Sequence, residues 1–468
     1  MILSGTDRPQ ASWTVARSRR EYGMEPNGTA GEPGAPDVST ARSDGRPDRR
    51  RTALRVWLGP ILVITALMTL LATMYLGYVI DPEKNLHDFP VALVNQDDGD
   101  IRDGAPINIG DQITGALTEQ VPADKIDLRV TGIAEAQRLL GNGEVYGAIV
   151  LPSDLSKRLS ILGAGAVVPG DIERPVITVI TNPRTGTYAT QIMQIVADEA
   201  LTQVETEVGK QLTAAVDAEL GSAPAGGTEL SGASRLMLAD PIEVITEPYR
   251  PLPDGTGRGL SAFFYTLLVV LAGFTGAMIV HTMVDSALGF IPTEYGPWFV
   301  HHPTAPHSRF RTLLLKWGVI AVTAPIVSGI FLGIANLLDM PLDHGPALFL
   351  FSTLAIVAVG VTALSILATF GSAGLLINLV LFIVLGLPSA GATIPLEATP
   401  RYMAWLAAFE PMHQIYLGVR AILYFDAHGN PGLARGVWMS LLGLAIGLVL
   451  GAVATFAYDR KGLERRSR

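Results

Sequence analysis

Histidines and acidic residues cluster in two places where a metal ion could bind. The stretch HHPTAPH holds His301, His302 and His307, and three imidazoles are a possible zinc ligand set. Its prolines and its adjacent histidines do not put the rings on one helix face, which favours a polar loop. The acidic stretch NQDDGDIRDG (95–104) lacks the alternating ligands and closing glutamate of a calcium loop. We therefore predict a solvated turn there and no metal site.

Covalent catalysis has few candidate residues. The sequence has no cysteine. Ser153 follows the apolar run VYGAIVL, but its context LPSDL is not the G-x-S-x-G of a hydrolase and fits a helix cap. The glycine-rich runs GSAPAGGTE and GTGRGLS lack the lysine and the Ser/Thr of a phosphate loop. We therefore predict that the chain is not an enzyme, holds no cofactor of its own and does not bind nucleic acid.

Ionisable residues are rare in the apolar segments. Lys316 lies near one predicted helix end and can extend its amine to the cytoplasmic interface. His281 and Asp285 lie near another cytoplasmic end, so the sequence argues against a proton relay through the membrane centre. Glu410 and His413 lie in a partly apolar outer segment, where a relay stays possible and a boundary role is favoured.

The elements that must position any site are mostly apolar helices. Of 468 residues, 49% are hydrophobic and 16% are charged, against about 25% charged in soluble domains. Six segments reach the ~20 apolar residues that a membrane span needs. They are Ala53–Val79, Leu260–Val284, Thr312–Leu338, Ala347–Phe370, Leu375–Ala390 and Arg435–Tyr458. We predict a polytopic α-helical membrane protein with six transmembrane helices; the alternative is that 347–390, whose only break is FGSAG, forms one broken or re-entrant element.

Arginine clusters set the predicted orientation. Arg49, Arg50 and Arg51 precede the first span (53–80), and residues 459–468 form a basic tail after the last. Because positive residues stay cytoplasmic, both termini are predicted to be cytoplasmic in a bacterial cell membrane. Residues 1–52 are rich in Gly, Pro, Ser and Arg and predict a disordered tail. The apolar run after them is too long and too late for a signal peptide, which indicates an uncleaved anchor.

Residues 81–259 have a different pattern. The apolar run FPVALVNQDDG (89–99), ended by turn residues, and the apolar runs at 145–151 and 174–182 predict strands, and residues 187–220 carry helical periodicity. The turn residues Gly141 and Gly143 separate a helix from the second of these strands. This alternation predicts an extracytoplasmic α/β domain, inserted between the first and second transmembrane helices of the bundle (260–458).

Glycines and prolines interrupt the segment before the last span (391–433). Its stretch RYMAWLAAFEPMHQIYLGVRAILYF is amphipathic and aromatic, as segments at a membrane interface are. Such an element can form an outer gate or lateral exit; the alternative is a packing element that only closes the bundle. The candidate residues of this gate are Pro388, Gly391, Pro395, Glu397, Pro400, Glu410, Pro411 and Arg420.

Three stretches resemble the ABC type-2 permease superfamily, and more narrowly its Pip/YhgE-like (phage infection protein) branch and nitrosoguanidine-resistance relatives. They are FPVALVNQDDG after the first span, EAQRLLGNGEVYGAIVLPSDLSKRL (135–159), continued by PVITVITNPRTGTYATQIM, and LGLPSAGATIPLEATPRYMAWLAAFEPMHQIYLGVRAILY (385–424). The resemblance implies a transport subunit that forms a homodimer or heterodimer and pairs with a separate ATPase. The docking surface would be the cytoplasmic loop that contains Glu294, Tyr295 and Gly296.

Two functions of different classes follow from the sequence. The first is an ABC type-2-like exporter subunit that contacts membrane lipid and moves an amphipathic or lipid-like substance or drug outward. The second is a surface receptor or secretion-machinery scaffold, in which the external domain binds a partner and nothing is transported.

Overall fold

The structure is a computed structural model that describes residues 49–102, 104–165, 173–222 and 232–463. Most of the predicted disordered tail (1–52) and half of the basic tail (459–468) lie outside these residues. The chain divides into two compact units, Met1–Leu62 and Val63–Arg468. Of the first unit, residues 49–62 form the beginning of a helix. The sheet and every helix after the first belong to the second unit.

The helices and strands in the described residues are numbered in chain order. The helices are α1 (Arg49–Val79), α2 (Ile109–Gln120), α3 (Ile133–Gly141), α4 (Leu155–Gly165), α5 (Thr187–Ser222), α6 (Gly232–Ala239), α7 (Leu260–Ala287), α8 (Arg309–Leu337), α9 (Gly345–Phe370), α10 (Ala373–Leu379), α11 (Gly386–Ser389), α12 (Arg401–Ala407), α13 (Pro411–Tyr424) and α14 (Ala434–Arg460). The strands are β1 (Phe89–Asn95), β2 (Asp100–Arg102), β3 (Ala105–Ile107), β4 (Ile126–Val130), β5 (Gly147–Leu151), β6 (Val176–Thr181), β7 (Glu243–Pro248), β8 (Thr293–Tyr295) and β9 (Trp298–Val300).

Five helices in the described part of the chain are long and apolar enough to cross a membrane, which makes this a multi-pass membrane protein. These apolar segments are Leu58–Val79, Gly257–Ala287, Arg309–Leu337, Gly345–Phe370 and Pro431–Arg460. Each overlaps one of the six predicted spans. The remaining predicted span, Leu375–Ala390, corresponds to the shorter apolar run Ala373–Ser389.

The shorter run is not a regular α-helix. It begins after α9 ends at Phe370, where Gly371 has a φ of 61°, so the chain breaks where FGSAG predicts. The run comprises α10, a π-helical turn (Val380–Val384) and α11. The Asn378 side chain donates to the Ala363 carbonyl oxygen at 3.0 Å, which fastens α10 to α9.

The segment between the first two apolar helices contains a mixed five-stranded sheet in the order β4-β1-β5-β6-β7, as far as the described residues show. Every neighbouring pair is parallel except β5 and β6, which are antiparallel. Strand β1 is buried along nearly its whole length, as expected for a central strand with helices on both faces. Val91 and Leu93 pack with α2, α4 and α5 on one face, and Ala92 and Val94 pack with α3 on the other.

The outer segment, defined as residues 391–433, belongs to two hydrophobic cores. Ile394, Ala398 and Met403 are buried in the same core as the sheet and α5. Further along the segment, Met412 and Tyr416 of α13 are buried in the core of α7, α8 and α9. The outer segment therefore packs against the sheet through its first half and against the bundle through its second half.

Candidate functional site

A tyrosine from the sheet contacts the first half of the outer segment. The Tyr146 hydroxyl donates to Glu397 Oε2 at 2.6 Å, and its ring stacks on Phe89 of β1 at 4.5 Å between centroids. The backbone amide of His87 donates to the Glu397 carbonyl oxygen at 2.7 Å. Burial, and then the adjacent Glu397 charge, raise the pKa of Tyr146 well above its ordinary value, so this hydroxyl stays a donor.

The prolines of the candidate gate set the path of this half. Pro395 and Pro400 have extended backbone angles and precede, respectively, a 3₁₀ turn (Leu396–Ala398) and α12. Since proline lacks an amide hydrogen and disfavours a helical residue before it, these positions divide the segment into short pieces. Pro388 is buried in α11.

Glu410 is buried where α13 begins. Its Oε2 accepts hydrogen bonds from the amides of Met412 (2.7 Å) and His413 (3.2 Å), and Pro411 occupies the first helical position. The residue is only 1% exposed. Burial raises the pKa of Glu410 to about 8, although the two amide hydrogen bonds oppose this shift. The carboxyl group is therefore mostly protonated at neutral pH.

His413 and Gly391 connect α13 to the end of α11. The His413 ring donates from Nδ1 to the Ala390 carbonyl oxygen at 2.8 Å. Burial lowers the pKa of His413 to about 4, so the ring is neutral. Gly391 has a φ of +64°, and a Cβ atom there would lie 2.9 Å from the Leu396 side chain. A side chain at Gly391 would strain the backbone and displace its neighbour.

Arg420 lies further along α13 among aromatic rings. Its guanidinium carbon lies 5.5 Å from the Tyr416 ring centroid and 5.6 Å from that of Phe425. Its Nε has no hydrogen-bond partner among the residues that the structure describes. The positive charge also lowers the pKa of Tyr146, although burial and Glu397 dominate that group. Arg420 is thus held by rings within electrostatic range of the sheet contact.

Three further hydrogen bonds connect the end of α13 to residues outside the outer segment. The Arg184 guanidinium, which follows β6, donates to the Tyr424 carbonyl oxygen. The Tyr424 hydroxyl in turn hydrogen-bonds the Ser261 hydroxyl at 2.8 Å and accepts from the Ala262 amide at 3.1 Å, both at the start of α7. The end of α13 is therefore hydrogen-bonded both to the residue that follows β6 and to the start of α7.

A buried ionic cluster between α7 and α8 was not predicted. Lys316 Nζ lies 2.7 Å from Asp285 Oδ1 and 3.1 Å from His281 Nδ1. Lys316 is 3% exposed and Asp285 is 2% exposed, so the prediction that Lys316 extends to the interface was wrong. The amine is paired with a carboxylate on the neighbouring helix instead. Spacing along the sequence gave no signal, because the partners lie on different helices.

The acidic stretch 95–104 was predicted to be a solvated turn, and this was wrong for Asp97. Its carboxylate is nearly buried and accepts from the Gly110 amide (2.9 Å), the Ser156 amide (3.0 Å) and the Ser156 hydroxyl (2.5 Å). Asp97 therefore fastens the first turns of α2 and α4 to the end of β1. Amides at helix starts favour this negative charge.

The predicted docking residues lie in a short hairpin. Glu294 and Tyr295 end strand β8, and Gly296, with a φ of 63°, begins the turn to β9. Tyr295 is 64% exposed and Trp298 is 73% exposed. The hairpin therefore presents aromatic side chains at its surface. Among the described residues, no group of three or more His, Asp or Glu side chains could hold a metal ion.

These features define a multi-pass membrane protein with a mixed sheet between its first two apolar helices. The chain belongs to the family described as protein of unknown function DUF3533, whose profile matches residues 61–446. No curated protein matches the chain. Among solved structures, it is similar to a domain of a proposed ABC type-2 transporter from Thermotoga maritima MSB8. That match has 17% identity and a TM-score of 0.22, and covers 34% of this chain and 85% of that one.

Proposed function

We propose that the protein is the permease subunit of an ABC type-2-like exporter, which moves an amphipathic or lipid-like substance or drug outward. One observation carries this proposal: a broken, buried segment at one end of the apolar bundle shares its hydrophobic residues with both the bundle and the sheet. Discontinuous helices form the substrate sites of many transporters. Irregular backbone at that depth is tolerated where it is buried or lines a cavity.

The proposed topology has six crossings. The run Ala373–Ser389 would span about 25 Å at 1.5 Å per residue, close to the hydrocarbon thickness. A Cβ atom on Gly374 would lie 2.8 Å from the Ile366 carbonyl oxygen, and one on Gly386 would lie 3.0 Å from the Glu410 side chain. The run thus leads from the end of α9 to the outer segment. Six crossings would put both termini on the same side of the cell membrane, and the arginine clusters predict that this side is the cytoplasm and that residues 81–259 lie outside.

The outer segment would act as the gate, and the sheet would move with it. Tyr146–Glu397 and Arg184–Tyr424 are polar contacts between the sheet region and this segment. A displacement of the sheet would therefore be transmitted to α12 and α13. A separate ATPase would supply the energy at the hairpin that contains Glu294, Tyr295 and Gly296, and the exporter would be a homodimer or heterodimer.

A crosslink between the sheet region and the outer segment tests the gate. Arg250 Nη1 lies 3.8 Å from Asp426 Oδ2, and both side chains are exposed. Because the sequence has no cysteine, the double variant Arg250→Cys/Asp426→Cys would react only at these positions with a short, reducible bifunctional thiol reagent. We expect crosslinking to stop efflux of an amphipathic fluorescent dye from cells, and reduction to restore it.

The matched control joins two positions near the same sheet. Arg174 and Asp240 form an exposed ion pair at 2.8 Å, away from the outer segment. Crosslinking Arg174→Cys to Asp240→Cys should leave efflux unchanged. Unchanged efflux after the Arg250→Cys/Asp426→Cys crosslink would show that the outer segment is not the gate. A deletion strain with normal drug sensitivity, together with a protein partner captured by the external residues, would favour the receptor or scaffold instead.

A further inference from the structure

A cavity of about 150 Å³ lies between α9, the π-helical turn, α13 and α14. Helix α14 approaches its neighbours closely at two glycines that flank the lining residues Met439–Ile446. A Cβ atom on Gly436 would lie 3.1 Å from the Gly418 Cα atom, and one on Gly447 would lie 2.8 Å from the Thr362 Cα atom. Between them, a Cβ atom on Gly443 would meet no described atom within 4 Å. The Gly443 carbonyl oxygen still accepts from the Thr362 hydroxyl at 3.1 Å, so the helices stay in contact there while the space beside the Gly443 Cα is open.

Two buried polar atoms in the cavity wall have no partner in the described part of the chain. The Gln414 amide nitrogen donates to the carbonyl oxygens of Ala407 (2.7 Å) and Ala408 (3.2 Å), which leaves Oε1 unpaired. The Ser440 hydroxyl is also unpaired. Gln414 is 1% exposed and Ser440 is 6% exposed. Buried polar groups are rarely left unpaired in native proteins, so a bound molecule that hydrogen-bonds to both atoms would be stabilised.

The rest of the wall is apolar except for Thr362, whose hydroxyl is already paired with the Gly443 carbonyl oxygen. Phe382 and Ile415 contribute apolar surface, and none of the described lining residues is charged. Three rim residues, Phe409, Leu442 and Ile446, are each more than half exposed. In a membrane, such side chains contact lipid, so a molecule could enter the cavity from the hydrocarbon.

We propose that this cavity binds the uncharged, hydroxyl-bearing end of an amphiphile. Such hydroxyl-bearing amphiphiles are then the substrate class of the exporter, an assignment that rests on the proposed function. A hydroxyl group donates to Gln414 Oε1 and accepts from the Ser440 hydroxyl, which pairs both orphan atoms. A cavity of this volume holds about one aromatic ring or a short piece of chain. The remaining apolar tail extends through the rim into the lipid.

Photolabelling of the full-length protein in lipid nanodiscs tests the binding site. The probes are a photoreactive long-chain primary alcohol and its methyl ether, which cannot donate a hydrogen bond. We expect the alcohol to label peptides of α13 and α14 roughly fivefold more strongly than the ether, as one net hydrogen bond predicts. Gln414→Met should reduce this preference, because it removes the acceptor that only the alcohol can use. Ser440→Ala should weaken labelling by both probes, since both oxygens can accept from the serine hydroxyl, and this variant is small enough to preserve packing.

Gly443→Leu should fill the cavity without a backbone clash and abolish the preferential label. The control is Gly333→Leu on α8, where a new Cβ atom also meets no described atom within 4 Å. This variant should label as the wild type does. Equal labelling by alcohol and ether, or a label spread over all lipid-facing helices and unaffected by Gly443→Leu, would overturn the site.

Efflux assays separate the site from the proposed function. Loss of efflux in Gly443→Leu, with Gly333→Leu unaffected, would support a substrate cavity. A confined, alcohol-selective label with unchanged efflux in Gly443→Leu would refute the substrate assignment and leave the exporter to be judged by the Arg250–Asp426 crosslink. Efflux blocked by that crosslink, with no selective label, would refute the cavity alone.

Discussion

Replacing Glu410 with glutamine should change how stability depends on pH. In the folded protein the pKa of Glu410 is raised from 4.5 to about 8, and that of His413 is lowered from 6.5 to about 4. Between pH 6.5 and 8 the folded wild type holds the Glu410 proton, whereas the unfolded chain holds neither proton. Stability must therefore fall as the pH rises through this window.

The magnitude follows from the width of the window. At about 1.4 kcal/mol per pH unit, the wild type should lose about 2 kcal/mol of unfolding free energy between pH 6.5 and 8. Between pH 4.5 and 6.5 the two groups oppose each other: the folded state holds the Glu410 proton and the unfolded state holds the His413 proton. Wild-type stability should be nearly flat there.

In the Glu410→Gln variant, His413 is the only one of these two residues that still titrates. Its stability should rise by about 3 kcal/mol between pH 4.5 and 6.5 and then stay flat to pH 8. The assay is equilibrium unfolding in micelles, followed by the fluorescence of the six tryptophans. Glu294→Gln, at the exposed hairpin, is the control and should keep the wild-type profile. Parallel profiles for wild type and Glu410→Gln would show that Glu410 is not held protonated by burial.

Three further predictions concern two other contacts and the membrane topology. Tyr146→Phe removes a hydrogen bond to a carboxylate and should lower the free energy of unfolding by about 1.5–3 kcal/mol. A loss of only a few tenths of a kcal/mol would show that the contact is absent in solution. Asp285→Asn and Lys316→Met should each destabilise the folded protein by about 3–5 kcal/mol, because each removes one member of the buried Asp285–Lys316 ion pair. The double variant should recover most of this loss. Additive losses of the two single variants in that thermodynamic cycle would argue against a direct pair. For topology, an impermeant maleimide should label Ile101→Cys in intact cells but His301→Cys only after permeabilisation, and the reverse pattern would invert the proposed orientation.

The sequence predicted those elements whose signal is local. A long apolar run defines α9 within its own residues, and the prediction Ala347–Phe370 differs from the observed Gly345–Phe370 by two residues at one end. Strand β5 was likewise predicted from its apolar run, bounded by Gly143 and Pro152. Hydropathy and turn residues act over a few neighbours, so no tertiary information is needed for such elements.

Features that depend on distant partners were not predicted. Asp97 binds Ser156, which is 59 residues away, and only the folded sheet brings them together. Lys316 forms an ion pair with Asp285, which lies on another helix. The unpaired Gln414 oxygen can be identified only from the structure, in which the amide nitrogen of the same side chain donates to the Ala407 carbonyl oxygen. Each outcome depends on which groups meet in three dimensions, and a single sequence does not carry that information.

The burial of Glu410 and the packing of the outer segment have a joint consequence. The amides of Met412 and His413 bind one carboxyl oxygen of Glu410, while its other oxygen is buried without a partner among the described residues. Ionising the Glu410 carboxyl while it is buried costs free energy. Any motion that exposes the start of α13 to water therefore favours release of the Glu410 proton. Because the same segment packs into the cores of both the sheet and the bundle, that motion must disturb one of them. Gate opening would therefore be coupled both to the position of the sheet and to the protonation of Glu410, and dye efflux should become less sensitive to pH in Glu410→Gln if the segment is the gate.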